Sequence, residues 1–109
     1  MPTPTPLNET HVDAVARSLH RHHEARHKGL WPNIWDEYDN LDEKYRNEYR
    51  DRAGELITAV QGTDTIDEAT LYLAALWCPH GPAMVKYMPY AQARINETLT
   101  DVPNLKETK

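Results

Sequence analysis

Five of the six histidines stand between His11 and His27, the first place where residue type and spacing suggest chemistry. On a helix His20, Glu24 and His27 share one face, with His23 beside them, and His23 lies one turn from His27, the reach at which two imidazoles hold zinc or nickel. His23-Glu24-Ala25-Arg26-His27 also spells the His-Glu-x-x-His order of zinc proteases, where the glutamate is the general base. That reaction needs a third ligand and a cleft, and Arg21, Arg26 and Lys28 crowd the same turns with charge that repels a cation. The sequence therefore assigns no metal and no cofactor. His20, His23, Glu24 and His27 form the alternative metal set, against the simpler reading of a solvated His/Arg surface. Cys78 and His80 are a second pair, but one cysteine cannot build a structural zinc site, and no orienting partner for a nucleophile is visible. A buried cysteine at a helix end is the expectation. With no Gly-rich phosphate loop and no Gly-x-Ser-x-Gly, the chain reads as non-catalytic.

Chemistry of any kind needs elements to position it, and the bulk numbers bound those elements. A chain of 109 residues supports one core. Apolar residues make up 39% and charged residues 27%, a globular composition. The formal charge of −5 argues against direct binding to a phosphate backbone, which needs clustered Lys and Arg. A single cysteine excludes an intrachain disulfide and fits a reducing compartment. The start, Met-Pro-Thr-Pro-Thr-Pro, has neither a basic opening nor an apolar run, and no 18-residue apolar span occurs, so a cytoplasmic protein without a membrane partner is expected.

The organising stretch is Leu41 to Gly62. Leu41, Tyr45, Tyr49, Ala53, Leu56 and Val60 recur at helical spacing and are expected to face inward, with Asn40 and Glu43 as a reciprocal cap and Gly62 as the stop. Its charged residues, with Glu48 and Arg52 in the favourable i,i+4 order, are expected to face solvent. An earlier helix runs from Glu9 or His11 to Lys28, with Thr10 as cap and Val12, Val15, Ala16 and Leu19 as its buried stripe. Gly29 ends it, and an aromatic loop with a short helical turn around Ile34 to Tyr38 follows. Thr65 and Glu68 make a capping box for a helix over 66–78, which is apolar on every side near its end and is expected at the centre of the bundle. Pro82 suits the start of a last helix in which Met84, Met88, Ala91, Ile95 and Leu99 keep one stripe across Pro89, as a kinked helix or two abutting ones. The expectation is an all-α bundle of about four helices with a short extra helix in the 29–40 loop. A Pro/Thr arm over 1–7 precedes the single domain over 8–100, and a fraying tail over 101–109 follows it.

Two surface features suggest partners. Residues 36–68 hold eleven acidic and four basic side chains, a surface suited to a basic protein. Three Trp, six Tyr and no Phe give every aromatic a hydrogen-bonding handle, the composition favoured at contact hot spots. Trp31, Trp35 and Tyr38 beside Asp36, Glu37 and Asp39 are the first candidate partner-binding surface, and Tyr87, Met88 and Tyr90 the second. A homodimer is compatible with either.

The segment from Ala16 to about Val60 is similar to small helical proteins of actinobacteria and their phages. The residues concerned are Ala16-Arg17-Ser18-Leu19-His20, the Trp31-Pro32 loop, Trp35 through Glu43, and a helix with Lys44, Arg50 and Ala53. It also resembles the RyR-type domain of prokaryotic proteins, in its His-bearing helix, aromatic loop and Leu-x-Glu-x-Lys-x-x-x-Arg-like helix. The first resemblance implies a small, non-catalytic accessory protein that binds and modulates a host or viral protein. The second implies a small-ligand pocket, which together with the histidine cluster is the alternative function.

Overall fold

The computed structural model describes the backbone of residues 9–27 and 37–106, and side chains from 9–23 and 37–106. Four helices carry them: α1 (Glu9–His27), α2 (Glu43–Gly62), α3 (Ile66–Trp77) and α4 (Met84–Asp101). Short 3-10 turns at Tyr38–Asn40 and Gly81–Ala83 precede α2 and α4. No strand occurs among the described residues, and the architecture is an all-α bundle. α1 packs on α2 and α4, while α3 packs on α4 and α2. The expectations for the 1–7 arm, for Gly29 as a helix stop and for the turn at Ile34 fall outside the described residues.

α1 buries Val12, Val15, Ala16 and Leu19 as its spacing predicts, and starts early enough to place Thr10 inside the helix rather than at its cap. α2 corrects two expectations. Asn40 does not cap it, because the preceding turn takes Asn40: its backbone N–H donates to Glu37 O at 2.9 Å, and Asp42 occupies the cap position without a side-chain bond. Tyr45 is 49% exposed rather than inward. The reason is geometric. Steps of four residues overshoot a 3.6-residue turn by about 40° each, so a row spaced four, four, four drifts around the helix. The drift leaves Ala53, Leu56 and Val60 buried, Tyr49 half-buried and Tyr45 outside.

Thr65 and Glu68 form both halves of their capping box, with Glu68 N–H donating to Thr65 Oγ1 at 3.1 Å. The helix they start is not central. α3 buries Ala69, Thr70, Leu73 and Ala74, while Leu71, Tyr72, Ala75 and Leu76 look outward. Gly81 then takes a left-handed φ of 59°, a conformation costly for any other residue, and turns the chain into α4. α4 stays one helix with Pro89 on its exposed side, and Ala91 and Ile95 enter the core.

The chain beyond Asp101 corrects the expected tail over its first residues. Val102 is buried, Leu105 is fully buried, and Gln61 Nε2–H donates to Leu105 O at 2.6 Å. Charged seams join the helices around this core. Arg50 of α2 reaches Glu9 and Asp13 of α1. Across α1 and α4, Ser18 and Arg21 reach Asp101, and His22 lies 3.0 Å from Asp101 and 2.7 Å from Glu97. Burial pushes the Asp101 carboxyl up, but the hydrogen bonds from Ser18, His22 and Arg21 outweigh it and hold that carboxyl below its ordinary value.

Candidate functional site

Of the residues singled out in the sequence, those the structure describes do not form one exposed patch. Trp31, Trp35 and Asp36 lie outside the described residues. Glu37 and Asp39 are exposed, but Tyr38 is only 7% exposed and belongs to the core, so it is not part of a surface patch. It is held there by the Arg17 guanidinium, 5.0 Å from its ring centroid, and by His20 at 6.1 Å. Arg17 also grips Asp39 through two bonds of 2.6 and 2.9 Å, and that hydrogen bonding holds the Asp39 carboxyl below the usual carboxylate range. Much of the negative charge expected at this corner is therefore already matched.

His20 is buried edge-on against Tyr49, with ring centroids 5.3 Å apart, and His23 also meets that ring edge-on at 6.2 Å. The side chains of Glu24 and His27 are outside the described set, and among the described residues no group of three or more His, Cys, Asp or Glu is placed to hold a metal ion. Cys78 is free and buried at the C-terminal cap of α3, as expected of it.

Two adjoining grooves open on the surface of the described residues, and both are lined by His23, Tyr49 and Arg52. The first, about 980 Å³, runs between α2 and α3. Its apolar walls are Leu41, Tyr45 and Tyr49 on one side and Leu76 on the other, and its rim carries Glu48, Asp51 and Glu55. Arg52 lies 3.5 Å from Glu55, so that pair is matched. Glu48 and Asp51 have no cationic partner among the described residues: the i,i+4 pairing expected of Glu48 and Arg52 is replaced by Arg52 leaning over Trp77, 5.5 Å from the ring centroid. Glu55 in turn accepts a 3.3 Å hydrogen bond from Trp77 Nε1.

The second groove, about 660 Å³, lies where Trp77 meets α4. Tyr87 and Tyr90 line it with Lys86 and Arg94, and Leu19 closes its inner end. Trp77 and Tyr90 meet edge-to-face at 5.9 Å, and Tyr90 and Tyr87 at 6.2 Å. Of the second surface read from the sequence, Tyr87 and Tyr90 line this groove, whereas Met88 packs against the core. Sequence reading missed Lys86, Arg94, Glu48, Asp51 and Leu76 as site residues. Only the outward apolar face of α3 carried a signal for the last of them.

No family model matches the chain, and none of the curated proteins or solved structures matches it.

Proposed function

We propose that this protein is a non-catalytic protein-interaction module whose α2–α3 groove receives a basic, amphipathic segment of another protein. The observation that carries the reading is the joining of exposed apolar walls, Tyr45 and Leu76, to two unmatched carboxylates, Glu48 and Asp51. Apolar side chains of a partner would lie on the walls and give up their contact with water, while its Lys or Arg residues meet the rim. α3 supports the same reading. From Thr70 to Cys78 it has no charged residue, yet Leu71, Tyr72, Ala75 and Leu76 remain exposed, the condition in which a helix awaits cover from outside. The similarity of residues 16–60 to actinobacterial and phage helical proteins suits a small accessory protein that modulates a host protein in the cytoplasm.

The test is capture of a partner by wild-type protein compared with Leu76→Arg and with Glu48→Lys. Both residues are exposed, so both variants should fold. Partners that depend on the groove should be lost from both, and capture from wild type should weaken steeply as salt is raised, because exposed charges are screened over about 10 Å at 0.1 M salt. Equal recovery of the same partners by all three proteins would falsify the reading.

A further inference from the structure

The groove beside Trp77 has the opposite chemistry, with a lining that is cationic and aromatic. No carboxylate is among its lining residues, although the chain as a whole carries 17 acidic against 12 basic residues. Three cations line it: Arg52, Lys86 and Arg94. Arg52 and Arg94 are matched at the margin by Glu55 and Glu97, but Lys86 has no acidic partner among the described residues. Arg94 is only 4% exposed, so its guanidinium, beside Glu97, forms part of the groove's floor rather than its rim.

The aromatic side of the groove narrows the class further. Tyr87 and Tyr90 are 42% and 48% exposed, so two large rings stand open beside the cations. Arg52 lies over Trp77, and Arg94 lies 4.9 Å from the centroid of Tyr90, so each guanidinium already covers a ring before any ligand arrives. A cationic ligand would therefore compete for ring faces already used and meet like charge. An elongated nucleic acid is disfavoured by the acidic balance of the rest of the chain. What remains complementary is a planar ring bearing an anion, and a volume of about 660 Å³ is in the range of small-molecule sites.

We infer that this groove binds a small aromatic or heteroaromatic molecule carrying a phosphate or carboxylate. The ring lies against exposed Tyr87 and the side of Tyr90 that Arg94 leaves uncovered, and the anion is taken by Lys86 with the guanidinium groups of Arg52 and Arg94 behind it. This site is distinct from the α2–α3 groove, and its probe is a small anion, so failure here leaves the reading of that groove untouched.

The experiment is a titration of the full chain with phenyl phosphate and with adenosine monophosphate, followed through amide signals and the Trp77 Nε1–H signal. Phenol, adenosine and inorganic phosphate serve as half-ligands. Saturable shifts at Trp77, Lys86 and Tyr87 are expected from at least one of the two anionic rings. Each half-ligand should bind at least about tenfold more weakly, because neither alone reaches both walls. Lys86→Ala and Tyr87→Ala, both at exposed positions, should each weaken binding by about five- to tenfold, while Glu48→Gln in the neighbouring groove leaves it unchanged. The inference is overturned if neither probe gives saturable shifts up to about 10 mM, where even the weakest specific binding would register. Equal binding of phenol and phenyl phosphate overturns it too, as does indifference to both Lys86→Ala and Tyr87→Ala.

Discussion

Of the two grooves that meet at His23, Tyr49 and Arg52, one sets Glu48, Asp51 and Glu55 around apolar walls, and the other sets Lys86 and Arg94 around aromatic ones. Their apolar surfaces are alike in kind, so hydrophobic burial does not tell their occupants apart. Charge does. Specificity is a difference between affinities, and a like charge at the rim rejects the wrong occupant as effectively as an opposite charge holds the right one. Arg52 makes the separation possible. By leaning over Trp77 and meeting Glu55 it leaves Glu48 and Asp51 unmatched on one side, and adds to the positive wall on the other.

The comparison is broken most severely at the shared wall. Tyr49→Ala removes the ring on which His20 and His23 pack, and a cost of about 3 kcal/mol in stability is expected, with loss of binding in both grooves. Denaturant unfolding and paired titrations check this, and loss of binding in one groove alone would show that the wall is not shared. A smaller effect sharpens the contrast of charge. Glu48→Lys with Asp51→Lys should weaken a basic peptide by about thirtyfold, or about 2 kcal/mol, and bind an anionic ring in the adjoining groove at least as tightly as before. Calorimetry with each probe tests it.

Thr65→Ala comes next, with an expected loss of about 1 kcal/mol and a drop of about 4–8 °C in Tm. It loosens α3, which gives Leu76 to one groove and Trp77 to the other, so both affinities should fall together while their charge preferences persist. The smallest effect separates acid unfolding from discharge of the groove. Because the Asp101 carboxyl is held below its ordinary value, its contribution is complete above the unfolded carboxylate pKa of about 4 and is lost as pH falls through the lower folded value. Asp101→Asn should therefore be less stable than wild type by under about 1 kcal/mol at neutral pH, with the gap closing as pH falls below the unfolded carboxylate value. Thermal melts across that range check the sign.

Much of this bundle was legible in the chain because its signals are local. Thr65 and Glu68 complete each other across three residues, and Val12, Val15, Ala16 and Leu19 need only a helical period to fall on one face. What escaped depends on distant packing. Asn40 has the chemistry of a cap, but the turn at Tyr38–Asn40 claimed it. Period shows how many sides of α3 are apolar, not which side another helix covers, so a helix expected at the centre of the bundle leaves Leu71 and Leu76 facing out. Leu105 follows Pro103 and continues no stripe, and only the bond from Gln61 and full burial reveal its place. The site was least legible of all: Arg52, Lys86 and Arg94 lie 34 and 8 residues apart in order, and α2 and α4 must come together before they line one groove.

The most direct test is a titration of isotope-labelled protein with an amphipathic Lys/Leu peptide at low and at high salt. The expected result is a saturable shift of signals from Tyr45, Glu48, Asp51 and Leu76, with an affinity that falls at least about tenfold between the two salts. Shifts confined to Lys86, Tyr87 and Tyr90, or an affinity indifferent to salt, would contradict the assignment of the acidic groove to a basic partner.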